Sequence, residues 1–459
     1  MKIKILILLM FLTAYFKSQY LDSTFGNNGN LLLQGIGAFF GTAIQNDGKL
    51  VLAGKTSDNK GLLCRLNPDG SFDNTFGVAG KLIFHEEQCN YEVVSPAKIL
   101  DDGSIVLLYD GSNNNNSFRI RKLVKLKSNG SLDESFNSTT ICSDFTLLSN
   151  GKIIVVPGFG NKLIRLNNNG SIDTSFGNMG IKTLSGVSDI NYLETDPLTN
   201  DVFLMDSNSR KIWKINNEGM QNMTSYSYSN YVSNIKFFKN SLFLSGGVYN
   251  SDYVSTSIRK LNANFTLDQS FGSSGTVSMS NPKANIDLIF QNDEKALQLN
   301  FIPYGNEIQI ARFNTIGTVD NFFGNQGKFD FQPGIDRIYS TYFLYNKSNT
   351  LYVISTEQPN NNQVTNFRNV VISKINIDGN LSILESKKQK LILYPNPATS
   401  FIYFSKKINS IELFSKEGKK IETTTANKSL SVSNLNKGIY ILKGVDENGN
   451  AISEKFIKK

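Results

Sequence analysis

Short apolar runs separated by polar turns recur along most of the chain. Residues 49–54 (Lys-Leu-Val-Leu-Ala-Gly) follow the turn sequence Asn46-Asp47-Gly48, and a second apolar run follows at residues 62–66. An Asn-Asp-Gly turn between two such runs is typical of a β-hairpin. Continuous apolar runs, in place of strict alternation, indicate strands that are covered on both faces. The pattern therefore predicts hairpins that stack against neighbouring sheets.

A second sequence motif recurs between the hairpins. Residues 66–81 read Leu-Asn-Pro-Asp-Gly-Ser-Phe-Asp-Asn-Thr-Phe-Gly-Val-Ala-Gly-Lys, and we call the position of Asp73 the mark. An aspartate here can accept hydrogen bonds from the backbone two residues on, while the glycines permit positive φ. The other marks are Asp22, Asp133, Asp173, Asp268 and Asp320, with two degenerate copies at Asn222 and Ser382.

The marks divide the chain into seven intervals of 51, 60, 40, 49, 46, 52 and 62 residues. Clear marks are followed by one more short apolar run, at 81–84, 181–184, 276–279 and 328–331. Repeats of this length with several strands each are typical of β-propellers. The Leu-Asp-x-Ser-Phe-Gly pattern and its upstream hairpin resemble the delta-60 repeat, which implies a propeller-like fold without an established activity. We predict an all-β protein with a seven-bladed β-propeller-like domain.

Closure of the propeller leads to a prediction about pairing. The run 31–33 follows the first mark without an interval of its own, and the seventh interval has no clear outer strand. Because a propeller must cover the open edges of its terminal blades, residues 31–33 are expected to pair with the strand around 370–375.

The two ends of the chain predict export. Residues 1–18 combine Lys2 and Lys4 with a short apolar run, as in a secretory signal peptide cleaved before Gln19; the alternative is a buried first strand. The repeat domain spans 19–385, and the charged residues 386–390 form a linker.

Residues 391–459 differ from the repeats and carry a Tyr-Pro-Asn-Pro opening, a Leu-x-x-Gly-Ile-Tyr strand and a Lys-Phe-Ile-Lys-Lys end. Short strands with turns predict a small Ig-like β-sandwich. The segment resembles the C-terminal sorting domain of the type IX (Por) secretion system. This implies the type IX machinery as a partner and a secreted or cell-surface location reached through the periplasm. An ordinary adhesive sandwich is the alternative.

The charge is uneven along the chain. The net charge is +8, but residues 386–459 hold 14 Lys and 6 acidic residues, and residues 19–385 hold 30 basic and 33 acidic ones. The basic character belongs to the ends, so nucleic-acid binding by the repeat domain is not expected. We also expect a monomer without a transmembrane segment in the mature chain.

Few residues of the chain could support catalysis or metal binding. The chain has one histidine, which makes a Ser-His-Asp triad or a His-based metal site improbable; His85, Glu86 and Glu87 are expected to form a solvated loop. The Asp-Gly-Ser turns supply too few oxygens for calcium. We predict no cofactor and no metal. Cys89 and Cys142 occupy similar places in successive repeats and could form a disulfide; three buried thiols are the alternative.

The functional prediction rests on the irregular connections. In a four-stranded antiparallel blade these connections lie on the face opposite the marks, and here they contain Tyr91, Tyr109, Tyr249, Tyr253 and Tyr304 among Asn and Ser. Tyrosines in variable loops on a rigid scaffold suit contact with a glycan or a protein. We therefore predict a secreted recognition scaffold. A polysaccharide lyase or hydrolase, a structural surface-coat protein, or merely tolerant loops are the alternatives.

Overall fold

The computed structural model describes residues 20–377 and 393–459, except 116, 159, 219–220, 229–230, 250–253, 281–283, 302–304, 346–348, 358–367, 406, 417–419, 425–427 and 447–450. The chain divides into two compact units, residues 1–379 and 380–459. The predicted signal peptide 1–18 and the predicted linker 386–390 lie outside the described residues. The boundaries drawn from the sequence at 18, 385 and 391 stay predictions.

The described secondary structure of the first unit consists of 27 strands. They are β1 (Asn30–Leu33), β2 (Ala38–Ile44), β3 (Leu50–Lys55), β4 (Gly61–Leu66), β5 (Lys81–Phe84), β6 (Tyr91–Ile99), β7 (Ile105–Ser112), β8 (Arg119–Leu126), β9 (Asp144–Leu147), β10 (Ile153–Val156), β11 (Lys162–Leu166), β12 (Ile181–Thr183), β13 (Tyr192–Thr195), β14 (Val202–Asp206), β15 (Lys211–Ile215), β16 (Gln221–Ser227), β17 (Tyr231–Phe238), β18 (Ser241–Tyr249), β19 (Val254–Leu261), β20 (Thr276–Ser280), β21 (Ala284–Phe290), β22 (Ala296–Phe301), β23 (Ile308–Phe313), β24 (Lys328–Phe331), β25 (Ile338–Tyr345), β26 (Thr350–Glu357) and β27 (Val370–Asn376).

These strands form seven antiparallel sheets within the described residues, which we number in chain order. The sheets are β2–β5, β6–β8, β9–β12, β13–β16, β17–β20, β21–β24, and β25–β27 with β1. Six have four strands, and the second has three in the described part. Consecutive strands of each sheet form an antiparallel meander, and in the seventh sheet β1 is added beside β27.

The seventh sheet joins the two ends of the unit. Strand β1 pairs with β27, with Leu31 opposite Ile372 and Leu33 opposite Val370. The predicted pairing of residues 31–33 with 370–375 is confirmed. It gives the last sheet a fourth strand and ties the start of the repeat domain to its end.

Hydrophobic residues fill the spaces between successive sheets. Between the first and second sheets, for example, Val51 and Leu63 pack with Ile105 and Leu107. A similar cluster lies between the seventh and first sheets, which closes the series. The all-β, propeller-like class is therefore confirmed, because continuous apolar strands are buried on both faces by neighbouring sheets. The count of seven blades for the whole domain stays a prediction.

The mark is a buried ion-pair site as well as a turn. Asp73 accepts the Thr75 amide at 3.0 Å and its hydroxyl at 2.7 Å, and it also binds Arg65 Nε at 2.7 Å and Lys49 Nζ at 3.1 Å. Burial disfavours the charge of Asp73, but these donors outweigh burial and hold its pKa well below the usual value. Arg65 also donates to the carbonyl of Ser128 in the next repeat. The mark thus links two repeats.

Most repeats keep this ion pair. The pairs are Lys125–Asp133, Arg165–Asp173, Lys260–Asp268, Arg312–Asp320 and Lys374–Asp22. In the fourth interval the mark is Asn222, and Lys214 binds Asp201 at 2.7 Å instead. Asp201 immediately precedes β14, just as Lys49 immediately precedes β3. The carboxylate has therefore moved to another position while the pairing of the partly buried cation is retained.

At the second mark, the phenylalanine explains a glycine in the mark that follows. Phe76 is buried, and the Arg65 guanidinium lies 4.4 Å from its ring centroid. Gly130 has φ +88°, and a Cβ at this position would lie 2.6 Å from the Phe76 ring. Only glycine meets both the backbone and the steric requirement.

The antiparallel order gives the unit two distinct faces. Turns from first to second strands and the marks share one, as the proximity of Gly48 to Pro68 illustrates. We call this the mark face. The opposite side, which we call the crossover face, carries the connections from second to third strands and from each sheet to the next.

The second unit contains two sheets among its described residues. Its strands are β28 (Leu393–Tyr394), β29 (Phe401–Phe404), β30 (Ile408–Ser415), β31 (Lys420–Thr424), β32 (Ser429–Ser431), β33 (Gly438–Asp446) and β34 (Ala451–Lys458). One sheet has the order β28-β29-β32 and the other β31-β30-β33-β34. Ile402 and Phe404 of the first pack with Ile411, Leu442 and Phe456 of the second. The Ig-like assignment stays a prediction.

Candidate functional site

Two exposed tyrosines on the crossover face each lie beside a cation. Tyr91 begins β6 and is 43% exposed, and Lys55 Nζ lies 4.3 Å from its ring centroid. Tyr339 is 40% exposed, and the guanidinium carbon of Arg368 lies 3.9 Å from its ring centroid. We call these four residues the Tyr91–Tyr339 patch. They come from the first, second and seventh sheets.

The two halves of the patch interact electrostatically. Burial, followed by Tyr339 and Asp110, raises the pKa of the Tyr91 phenol. Burial and then the positive charge of Arg368 lower the pKa of Lys55. Two like charges are therefore held near each other in a partly desolvated place, which is a costly arrangement without a counter-ion.

Side-chain and backbone hydrogen bonds surround the patch. Lys55 Nζ donates to Asn59 Oδ1 at 2.6 Å, and the Asn59 carbonyl accepts the Glu92 amide at 2.8 Å. On the other side, Asn369 next to Arg368 donates its side-chain amide to Glu357 at 2.6 Å. Lys55 is thus held by the side chain of Asn59, whose carbonyl is in turn bonded to the Glu92 amide in the second sheet.

A carboxylate close to the patch is already paired. Asp110 accepts Arg119 Nε at 3.1 Å and Nη2 at 2.8 Å, and it accepts Arg121 Nε at 2.8 Å. Two guanidinium groups therefore surround one carboxylate. The two arginines and the aspartate together carry a net positive charge, and the Asp110 carboxylate is already engaged in two ion pairs.

A buried network lies next to Tyr91. Glu92 accepts the Glu86 amide at 2.6 Å and the Tyr109 hydroxyl through Oε1, and its Oε2 lies 2.7 Å from His85 Nδ1. Burial and then Glu92 raise the pKa of Tyr109. Glu86 also binds Lys122 at 2.8 Å. The network fixes the crossover that leads into β6 and so positions Tyr91.

The sequence-based expectation for residues 85–87 was therefore incomplete. The His85 side chain is 42% exposed, but its Nδ1 contacts a buried carboxylate instead of water. The sequence indicated this contact only in part, because the partner Glu92 is seven residues away and lies in strand β6 instead of the loop.

The five tyrosines selected from the sequence lie in different environments. Tyr91 is exposed on the crossover face, as expected. The expected surface position of Tyr109 is wrong, because this residue is only 1% exposed. Its ring packs between the first and second sheets, and its hydroxyl donates a hydrogen bond to Glu92. Tyr249 ends β18 at the crossover face. Tyr253 and Tyr304 lie outside the described residues.

The disulfide expected between Cys89 and Cys142 is absent, because both cysteines are free and buried. Cys89 lies against Gly111 of β7, whereas Cys142 packs in the cluster between the second and third sheets. Cys142 Sγ donates to the Asp144 carbonyl at 3.3 Å. Similar positions in successive repeats do not bring the two sulfur atoms together, since each faces a different layer.

Charged side chains also line the first strands of five successive sheets. They are Lys98, Asp144, Glu194, Lys236 and Asp287, which we call the inner-strand ladder. Lys98 Nζ donates to Thr146 at 3.2 Å, and Asn234 donates to Asp287 at 2.6 Å. Burial, opposed by Lys236, raises the pKa of both Glu194 and Asp287. Buried ionisable groups occur in functional sites and in structural networks alike.

Among the residues that the structure describes, no three His, Cys, Asp or Glu side chains are grouped so as to ligate a metal ion. The carboxylates of the marks are instead neutralised by arginine and lysine. No helix in the described part of the chain is long and apolar enough to cross a bilayer.

The fold and the repeated mark define the class: the first unit is a propeller-like repeat protein. Residues 45–76, 100–136 and 148–176 match a β-propeller domain family of unknown function. Each matched segment begins near a first turn and ends at the phenylalanine of a mark. The delta-60 name for the repeat stays a prediction.

Residues 392–459 match the secretion system C-terminal sorting domain. This domain marks proteins that the type IX system exports to the cell surface or the extracellular space, and the protein is exported by this route. No match was found among curated proteins.

Several solved structures resemble the chain. Virginiamycin B lyase from Staphylococcus aureus is 12% identical, with 76% of this chain and 99% of that chain covered and a TM-score of 0.43. Sqt1 from Saccharomyces cerevisiae is 12% identical, with 75% and 97% covered and a TM-score of 0.46. Likenesses at this level say nothing about ligand or activity.

Sequence reasoning missed Lys55, Tyr339 and Arg368. Lys55 ends β3, Tyr339 is the second residue of β25, and Arg368 lies two residues before β27. A search for aromatic and basic residues at strand ends on the crossover side would have found them. Their convergence on Tyr91 depends on ring closure and is not visible locally.

Proposed function

We propose that the protein is a monomeric, seven-bladed extracellular recognition scaffold that binds its ligand on the crossover face. The observation that carries the proposal is the Tyr91–Tyr339 patch, in which two exposed rings and two cations from three sheets meet. Aromatic and arginine side chains are typical of recognition surfaces. The patch rests on paired strands, which keeps its geometry fixed before the ligand arrives.

The irregular connections of the crossover face are part of the same proposal. Tyr249, Tyr253 and Tyr304 belong to connections of the fifth and sixth sheets, and they are proposed to extend the contact surface beyond the patch. Replacing all three by Ala is expected to weaken ligand binding while leaving the melting temperature nearly unchanged. Lost stability with retained binding would identify them as packing residues.

The central test uses the mature full chain on an array of polysaccharides and peptides. A Tyr91→Ala/Tyr339→Ala variant is expected to lose the binding that the unchanged protein shows. Phe322→Ala is the matched control, because Phe322 is 94% exposed and belongs to a mark on the opposite face. Equal binding by the double variant and the unchanged protein would contradict the proposed surface.

A further inference from the structure

We propose that the Tyr91–Tyr339 patch binds an acidic polysaccharide, whose carboxylate or sulfate groups contact Lys55 and Arg368 while its sugar rings stack on the tyrosines. This inference rests on the proposed function and names the ligand class for the same surface. It is carried by an unbalanced positive charge, by an unpartnered guanidinium donor and by the exposed rings.

The two cations lack a carboxylate partner in the described part of the chain. Lys55 Nζ donates to the neutral amide of Asn59, and Arg368 forms no ion pair with the nearby Glu357. Residues 358–367, which lead into Arg368, contain no Asp or Glu. A second nearby carboxylate, Asp110, already binds two arginines. An external anion would supply the missing counter-charge.

Arg368 has a donor ready for such an anion. Its Nη1 atom is buried and has no hydrogen-bond partner among the described residues. A buried donor without a partner costs about 1–3 kcal/mol, and more for a charged group. A carboxylate or sulfate oxygen would satisfy this donor through a charge-assisted hydrogen bond, which is stronger than a neutral one.

The rings favour a polysaccharide over other anionic polymers. Tyr91 and Tyr339 offer partly exposed aromatic faces on which the apolar faces of sugar rings can stack, whereas an acidic peptide would use only the cations. Single-stranded nucleic acid also stacks on aromatic residues, but it needs a longer basic groove.

The test measures binding of the mature full chain to polygalacturonate, chondroitin sulfate, neutral dextran, poly-glutamate and single-stranded DNA by calorimetry. We expect binding to at least one of the two acidic polysaccharides. Polygalacturonate offers carboxylates alone, whereas chondroitin sulfate also offers sulfates, so comparing the two shows which anionic group is recognised. Affinity should fall as NaCl is raised from 50 to 500 mM, because surface ion pairs are screened.

Two substitutions address the cations directly. The Lys55→Gln/Arg368→Gln variant is expected to lose about tenfold or more in affinity, the amount carried by two partly desolvated charge contacts. Lys162→Gln is the matched control, because Lys162 is an exposed cation that begins β11 at the same face. Arg368→Lys keeps the charge and tests the need for the forked donor if the double variant does not fold.

The outcomes separate the inference from the proposed function. Equal affinity for neutral dextran, or tighter binding of poly-glutamate or DNA, would overturn the acidic polysaccharide while the recognition surface stands. Acidic-polysaccharide binding that survives Tyr91→Ala/Tyr339→Ala would show that the surface itself is misplaced. Failure of both acidic polysaccharides to bind would refute the inference.

Discussion

Replacing Asp73 by Asn is expected to lower the free energy of unfolding of the repeat domain by about 3 kcal/mol. The carboxylate is buried and binds the buried Arg65 at 2.7 Å and the partly exposed Lys49 at 3.1 Å. Asn keeps an acceptor for Thr75 but leaves Arg65 without a counter-charge, while Lys49 keeps only Asp47, an exposed carboxylate 3.5 Å away. Loss of one partner of a buried ion pair typically costs about 3–5 kcal/mol, and the exposure of Lys49 favours the low end.

The assay is urea and thermal unfolding of the mature chain, followed by circular dichroism. Asp69→Asn is the matched control: Asp69 also accepts a backbone amide two residues on, from Ser71 at 2.9 Å, but it is exposed. This control should change stability by less than about 1 kcal/mol. High salt should leave the difference between the two variants intact, because buried pairs are screened little.

The pH dependence gives an independent check with a defined sign. The folded-state pKa of Asp73 lies below its unfolded value, so the folded state binds fewer protons there in acid. The stabilisation is therefore complete above about pH 4 and is lost as the pH falls towards the folded pKa. The gap between unchanged protein and Asp73→Asn should be constant from pH 6 to 8 and shrink below about pH 4.

Two results would refute this reasoning. If Asp73→Asn and Asp69→Asn lowered stability equally, burial of the pair would not matter. If the Asp73→Asn effect vanished in high salt at neutral pH, the pair would behave as a surface contact and the mark would be only a turn.

Three further outcomes are expected. Gly130→Ala should lower stability by about 2 kcal/mol more than Gly334→Ala, because both glycines have a similar positive φ but only Gly130 would place a Cβ against Phe76; equal melting temperatures would contradict this. Deletion of 391–459 should leave a folded propeller in the periplasm, as shown by immunoblots of cell fractions, and normal extracellular amounts would argue against a sorting role. Unfolded protein without reductant should react with a thiol reagent at all three cysteines, whereas reaction at only one would indicate a disulfide.

The architecture of the first unit could be predicted because its determinants are local. The mark at Asp73, the turn at Gly48 and the continuous apolar runs each depend on residues a few positions apart, and the same local chemistry recurs in most intervals. Even the pairing of 31–33 with 370–375 followed from counting strands. A short stretch of chain already determines which groups hydrogen-bond within a turn and which positions of a strand are apolar.

The buried ion pairs and the candidate site depended on the tertiary structure. Arg65 precedes Asp73 by eight residues and reads as an ordinary strand residue until the mark folds back onto it. Tyr91 lies in the second sheet and Tyr339 in the seventh, and they share one surface only because the first sheet packs against both. Tyr109 looked like a surface residue, yet the packing of neighbouring sheets buries it. Exposure and pairing of side chains depend on which sheets become neighbours, and local sequence does not contain that information.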